Sequence, residues 1–145
     1  MNVILSIHPK WAKLIYDGKK TIEWRKTLPK KIKKGDKVFL YETSPVFKIT
    51  GHFDYNGAEI YDKNDDDIKY LLKDKVERMG CLPIEKLNEY QGKSECVYAW
   101  RVITPIKFDT PKPLEDFGLK RPPQSWQYVE EEALVSEEQN FEARR

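Results

Sequence analysis

The sequence predicts a single α+β domain built on a small β-barrel of five or six strands, with helices at its rim. Three observations lead there. The chain opens as strand, helix, strand: an apolar run over Asn2–Ile7, an amphipathic stretch after Pro9 and a β-type segment after Gly18. Several short β-rich runs follow, separated by turn residues rather than by helical periodicity. At 145 residues, 39% hydrophobic and 34% charged, the chain suits one soluble, highly charged domain large enough to bury a core.

The first run, Val-Ile-Leu-Ser-Ile, reads as a buried strand. Pro9 fits the first turn of a helix, where its missing N–H costs nothing. Trp11, Leu14 and Ile15 recur at i, i+3 and i+4 as one apolar stripe, and Gly18 is placed to end the helix in the left-handed conformation. In the strand that follows, alternation sends Ile22 and Trp24 to one face and Thr21, Glu23 and Arg25 to the other. A basic loop over 28–36 leads into Lys37–Glu42, apolar on both faces as a central barrel strand would be. Residues 43–45 break it. The 49–60 run is again β-type, with Gly51 and Gly57 at positions that suit bulges or barrel corners.

Composition changes at the aspartates 65–67. One of them caps a helix whose stripe is Ile68, Leu71, Leu72 and Val76, ending at Gly80; a second short helix over 83–90 stops at Gly92. Residues 63–92 thus read as a helical insertion or lid on a domain spanning 1–129. The 96–106 run returns to strand, and prolines 105, 111, 113, 122 and 123 then punctuate an extended segment with one helical turn over 114–119. Pro122-Pro123-Gln124-Ser125-Trp126-Gln127-Tyr128 reads as a last strand anchored by Trp126, or as a strip able to close over a base. The 130–145 segment, with six acids and two arginines, reads as an acidic tail.

The net charge of +2 conceals an asymmetry: residues 1–50 carry +8 and the remainder −6. Basic charge gathered at one end points to a polyanionic partner more than the total does. No apolar run approaches the ~20 residues of a membrane helix, and the N-terminus lacks the layout of a secretory signal. Cys81 and Cys96 have neither partner spacing nor nearby histidines, so reduced thiols in the cytoplasm are expected, with no metal or cofactor. The aspartate run has no D-x-D-x-D-G loop around it and is better explained as a cap. No G-x-S-x-G elbow, phosphate-binding loop or H-E-x-x-H occurs.

What remains is Gly18-Lys19-Lys20-Thr21-Ile22-Glu23-Trp24-Arg25-Lys26, where a helix hands over to a strand. A lysine, a carboxylate and a guanidinium stand close together, with Thr21 and Ser6 as nearby hydroxyls and His8 at the preceding turn. Such a group binds an anion, reads a polar base edge, transfers a proton, or simply braces the strand. Between positions 19 and 34 lie eight basic residues and one acid, Glu23. Lys30, Lys31, Lys33 and Lys34 are expected to be exposed and to meet phosphates. Tyr41, Phe53 and Tyr55 supply either a stacking surface for a base or core.

Gly18-x-Lys20-x-x-Glu23-x-Arg25 resembles the G-x-K-x-x-E-x-R signature of the ASCH domain family, a branch of the PUA-like β-barrels. Leu5-Ser6-Ile7-x-Pro9 ahead of it, and Lys34-Gly35-Asp36-Lys37-Val38 with Tyr41 behind it, are similar to the family's opening, and the resemblance runs over roughly 1–108. It implies a PUA-like barrel that binds RNA, with Lys20, Thr21, Glu23, Arg25 and Tyr41 about a nucleotide and the four loop lysines on flanking backbone. Some similar proteins are amidohydrolases of acetylated cytidine nucleosides. Their lysine matches Lys20, but their threonine nucleophile stands where this chain has Glu23. A ribonuclease, with Lys20 and Glu23 as candidate catalytic residues, and a protein-interaction module are the other readings.

Overall fold

The structure is a computed structural model that describes residues 1–62 and 68–129. The aspartates at 65–67 and the 130–145 segment lie outside the described residues.

Six strands form one sheet: β1 (Asn2–Ile7), β2 (Ile22–Arg25), β3 (Lys37–Glu42), β4 (Lys48–Asp62), β5 (Cys96–Lys112) and β6 (Trp126–Val129). Among the described residues three helices join them, α1 (Pro9–Tyr16), α2 (Ile68–Arg78) and α3 (Ile84–Gln91), with a 3-10 turn over Leu114–Phe117. The strand order is β2-β5-β4-β3-β1-β6, with β1 and β3 parallel and the other neighbours antiparallel. The sheet curls around a core of Val3, Leu5, Val38, Leu40, Phe53 and Trp100, each fully buried, which α1 plugs with Ala12 and Ile15. Gly18 ends α1 with φ +77°.

The predicted barrel is not closed. β2 and β6 remain the two ends of the strand order, and among the described residues no backbone ladder joins them. Side chains bridge the gap instead. Trp126 Nε1 donates to Thr27 Oγ1 at 2.8 Å, and Arg25 donates to Ser125. β2 and β6 are each four residues long and each ladders with one neighbour, β5 and β1.

The β4–β5 register shifts at three places, between Ile49 and Gly51, His52 and Asp54, and Tyr55 and Ala58, and the first and last fall where the glycines suggest. β5 runs through Pro105 and Pro111 to Lys112, well past the predicted end at 106. Beyond Arg101 it has β4 on one side and, among the described residues, no strand on the other, so a proline there breaks no ladder on that side. A second apolar cluster on the outer face gathers Ile4, Phe39, Tyr41, Ile49 and Phe117. A third packs Ile22, Trp24, Val97 and Ala99 against Val76 of α2 and Leu87 of α3. Alternation in β2 therefore turns Ile22 and Trp24 toward the helices.

Candidate functional site

β2 delivers the group. Its four residues pair with β5, Glu23 opposite Trp100 and Arg25 opposite Tyr98, so both charges ride an edge strand beside the core. Their side chains are only 9% and 13% exposed, and Arg25 Nε lies 3.8 Å from Glu23 Oε1. Glu23 Oε1 also accepts from the Trp24 amide at 3.1 Å. Arg25 donates through Nη1 to Ser125 Oγ at 3.1 Å and through Nη2 to the Ser6 carbonyl at 2.9 Å. The Ser6 hydroxyl in turn donates to the Pro123 carbonyl. The guanidinium thus ties β1, β2 and the approach to β6 into one corner.

Lys20 completes the group from the residue pair before β2. It is 3% exposed, and its ammonium donates to the Gly80 carbonyl at 2.7 Å while lying 5.5 Å from the centre of the Trp11 ring. Burial pushes its pKa below the ordinary lysine value, partly offset by the Glu23 carboxylate. The turn after α2 therefore lies against the signature. Thr21 N–H donates to the Met79 carbonyl at 2.8 Å, and the Cys81 thiol donates to the Lys19 carbonyl at 3.3 Å. Burial raises the Tyr90 hydroxyl above the ordinary tyrosine value, with the nearby Arg25 charge opposing it, and Lys26 Nζ lies 5.0 Å from the centre of its ring.

Three consecutive residues of β2 hold buried polar atoms without a hydrogen-bond partner: Glu23 Oε2, Trp24 Nε1 and Arg25 Nε. Leaving a buried polar group unpaired costs roughly 1–3 kcal/mol; Glu23 and Arg25 share the face beside the core, while Trp24 turns toward the helices and Gly80.

The other predicted residues divide. Lys30, Lys31, Lys33 and Lys34 are all exposed on the loop before β3, held there by buried Ile32. The Lys31 amide donates to Tyr128 Oη at 3.0 Å, so the loop stands beside β6. Tyr41 is 4% exposed within the outer apolar cluster, where the 3-10 turn brings Phe117, apart from the Lys20 group. Phe53 and Tyr55 belong to the main core. His8 is exposed at the turn into α1, where its carbonyl accepts from the Trp11 and Ala12 amides. Sequence reasoning missed Ser125, Gly80, Tyr90 and Trp11 as neighbours of the group. Ser125 sits in the 122–128 strip that composition singles out; the others carry no local signal.

The ASCH domain model matches residues 5–142, nearly the whole chain. The protein belongs to the ASCH domain family. Solved ASCH proteins of Zymomonas mobilis share its fold: a variant form superposes with a TM-score of 0.80 at 22% identity, over 95% of this chain and 96% of that one. The parent protein gives 0.77 at 25% identity, over 93% and 94%. Hypothetical protein PH0355 matches at 0.52 and 22% identity, covering 73% of this chain and 100% of its own. In sequence, the chain is 28% identical over 129 residues to large ribosomal subunit protein uL22 of Ureaplasma parvum, and 25% identical over 128 to that organism's ATP synthase subunit alpha. These alignments take in 88% of this chain but 39% and 15% of those proteins, so the ASCH chain spans well under half of either.

Proposed function

We propose that this ASCH protein is an RNA-binding module that takes a nucleotide at Lys20, Glu23 and Arg25 and holds flanking phosphates on Lys30, Lys31, Lys33 and Lys34. The observation that carries the reading is the buried Glu23–Arg25 ion pair, in which Glu23 Oε2 and Arg25 Nε make no hydrogen bond and Nε lies 3.8 Å from the other carboxylate oxygen. An acceptor and a donor each short of a hydrogen bond in one buried pair suit the amino group and ring nitrogen of a nucleobase edge. The turn after α2 and Tyr90 of α3 border the group, the Gly80 carbonyl accepting from Lys20 and the Cys81 thiol donating to the Lys19 carbonyl. Exposed lysines on the adjoining loop supply sequence-independent attraction. A relative named for the ribosome, itself an RNA assembly, is in keeping with this; one named for ATP synthase neither adds nor subtracts. Both cysteines are unpaired, which suits a reducing compartment such as the cytoplasm.

A hydrolase acting on a nucleoside or RNA is the second reading. One observation favours it: the burial that lowers the pKa of Lys20 is what a lysine general base requires. Crystals soaked with nucleosides and short RNAs, alongside salt-dependent binding of labelled RNA, test the proposal. RNA bound and recovered intact, with a base against Glu23, supports it. Acetate released from acetylcytidine, or RNA cut without metal, replaces it with the hydrolase.

A further inference from the structure

A second cationic surface lies on the opposite face of the sheet from the Lys20 group. Arg101 of β5 alternates with Trp100 and Val102, which point into the main core, so its side chain turns outward. Its Nη2 donates to Glu59 Oε1 at 2.9 Å, while Nη1 makes only a long contact of 3.4 Å to the Asn56 carbonyl. Lys75 of α2 donates to both Glu59 oxygens, at 2.9 and 2.7 Å. One carboxylate therefore answers two cations.

The bulge in β4 connects this pair to the basic loop. At Gly57, φ is +85°, and a Cβ placed there would lie 2.9 Å from Arg101 Nη1 and 3.1 Å from Lys34 Cε. Two cationic side chains thus meet over the same side-chain-free point. Lys34 is the last of the four exposed loop lysines, so loop and strand merge into one positive strip leading to Arg101. Like charges gathered at a surface repel, and a polyanion laid over them relieves that repulsion.

We infer that this strip is a phosphate track, along which the backbone of an RNA segment runs from the Lys30–Lys34 loop over Gly57 to Arg101. The guanidinium offers its weakly engaged Nη1 to a phosphate oxygen, the geometry at which arginine excels, and the lysines add unspecific charge. Exposed Ile103, two residues further along the same face of β5, offers a protein partner one aliphatic contact, and the lysines and Arg101 ahead of it are charge-complementary to a phosphodiester backbone. Glu59 acts as a brake, competing with phosphate for Arg101. The inference rests on the RNA-binding reading and extends it from one seam to a footprint on both faces.

The test is a salt series of labelled single-stranded RNA and of polyglutamate against the full chain, Arg101→Gln and Glu59→Gln, each with a thermal melt. Arg101→Gln should weaken RNA about tenfold and reduce the log–log salt slope by about 0.7, one phosphate contact on a single strand. Glu59→Gln should lower the melting temperature yet tighten RNA binding about threefold. If the network only clamps α2, both variants melt earlier and the folded protein binds RNA unchanged, which overturns the track. Equal weakening of polyglutamate and RNA by Arg101→Gln overturns it as well. Wild-type protein that binds no RNA removes the proposed function itself, whereas RNA binding that resists Arg101→Gln removes only the track.

Discussion

Lys20 and Gly80 are joined by a 2.7 Å hydrogen bond across 60 residues, a buried ammonium donating to the carbonyl that follows α2. The contact fixes the insertion helices onto the signature. It also depends on position 80 being glycine, since a Cβ there would stand 2.3 Å from Trp24 Nε1 and 2.9 Å from the Val76 carbonyl. The same lysine that the sequence marks for ligand binding is therefore a structural strut.

Lys20→Met keeps the side-chain stem and removes the donor. It leaves the Gly80 carbonyl short of a charged partner, so stability should fall by about 1–3 kcal/mol, a drop of several degrees in a thermal melt. RNA affinity of the folded fraction should fall with it. A variant that melts like the wild type would show that the Lys20–Gly80 bond contributes nothing net.

Glu23→Gln retains an oxygen for the Trp24 amide and gives up the charge beside Arg25. If the seam is a recognition site, the fold survives and binding weakens by about 1–3 kcal/mol, the scale of one charge-assisted contact. If Glu23 only braces Arg25, removing one member of a buried pair lowers stability and leaves affinity in proportion to folded protein. Melting curves beside binding isotherms separate the two outcomes.

Replacing Lys30, Lys31, Lys33 and Lys34 together by Ala should leave the melting temperature nearly unchanged, because all four are exposed. With about four phosphate contacts, the wild-type log–log salt slope should lie near −3, at ~0.7 per contact for single strands. The fourfold variant should bring it toward zero. A flat titration for the wild type would mean the run is merely solvated.

Glu59 gives a pH dependence of known sign. Hydrogen bonds from Lys75 first, then Tyr61 and Arg101, hold its pKa at about 2, below the ordinary 4.5. A depressed carboxylate contributes stability that is complete above about pH 4.5 and is lost as pH falls toward 2. Urea melts across that window should show declining stability in the wild type and a shallower decline in Glu59→Gln, which has no such proton to take up. Parallel profiles would refute the assignment.

Local pattern alone determined a good part of this protein. The strand–helix–strand opening, the turn at Gly18, the two-sided burial of β3, the bulges near Gly51 and Gly57 and the helix over 84–91 all follow from nearest neighbours along the chain. Alternation in β2 likewise put Glu23 and Arg25 on one face, because period-2 geometry is a property of the strand itself. Tertiary structure decided the rest, since it depends on which distant segment arrives. Arg25 meets Ser125 only because the curled sheet brings the ends of β2 and β6 together, across 100 residues. Tyr41 is core only because the turn at Leu114–Phe117 covers that face of β3. β5 continues through Pro105 only because one of its edges is open there, a fact no window of sequence contains. Whether the sheet closes was likewise a tertiary matter: β2 and β6 meet through the side chains of Arg25 and Trp126 rather than through backbone, and no local pattern carries that distinction.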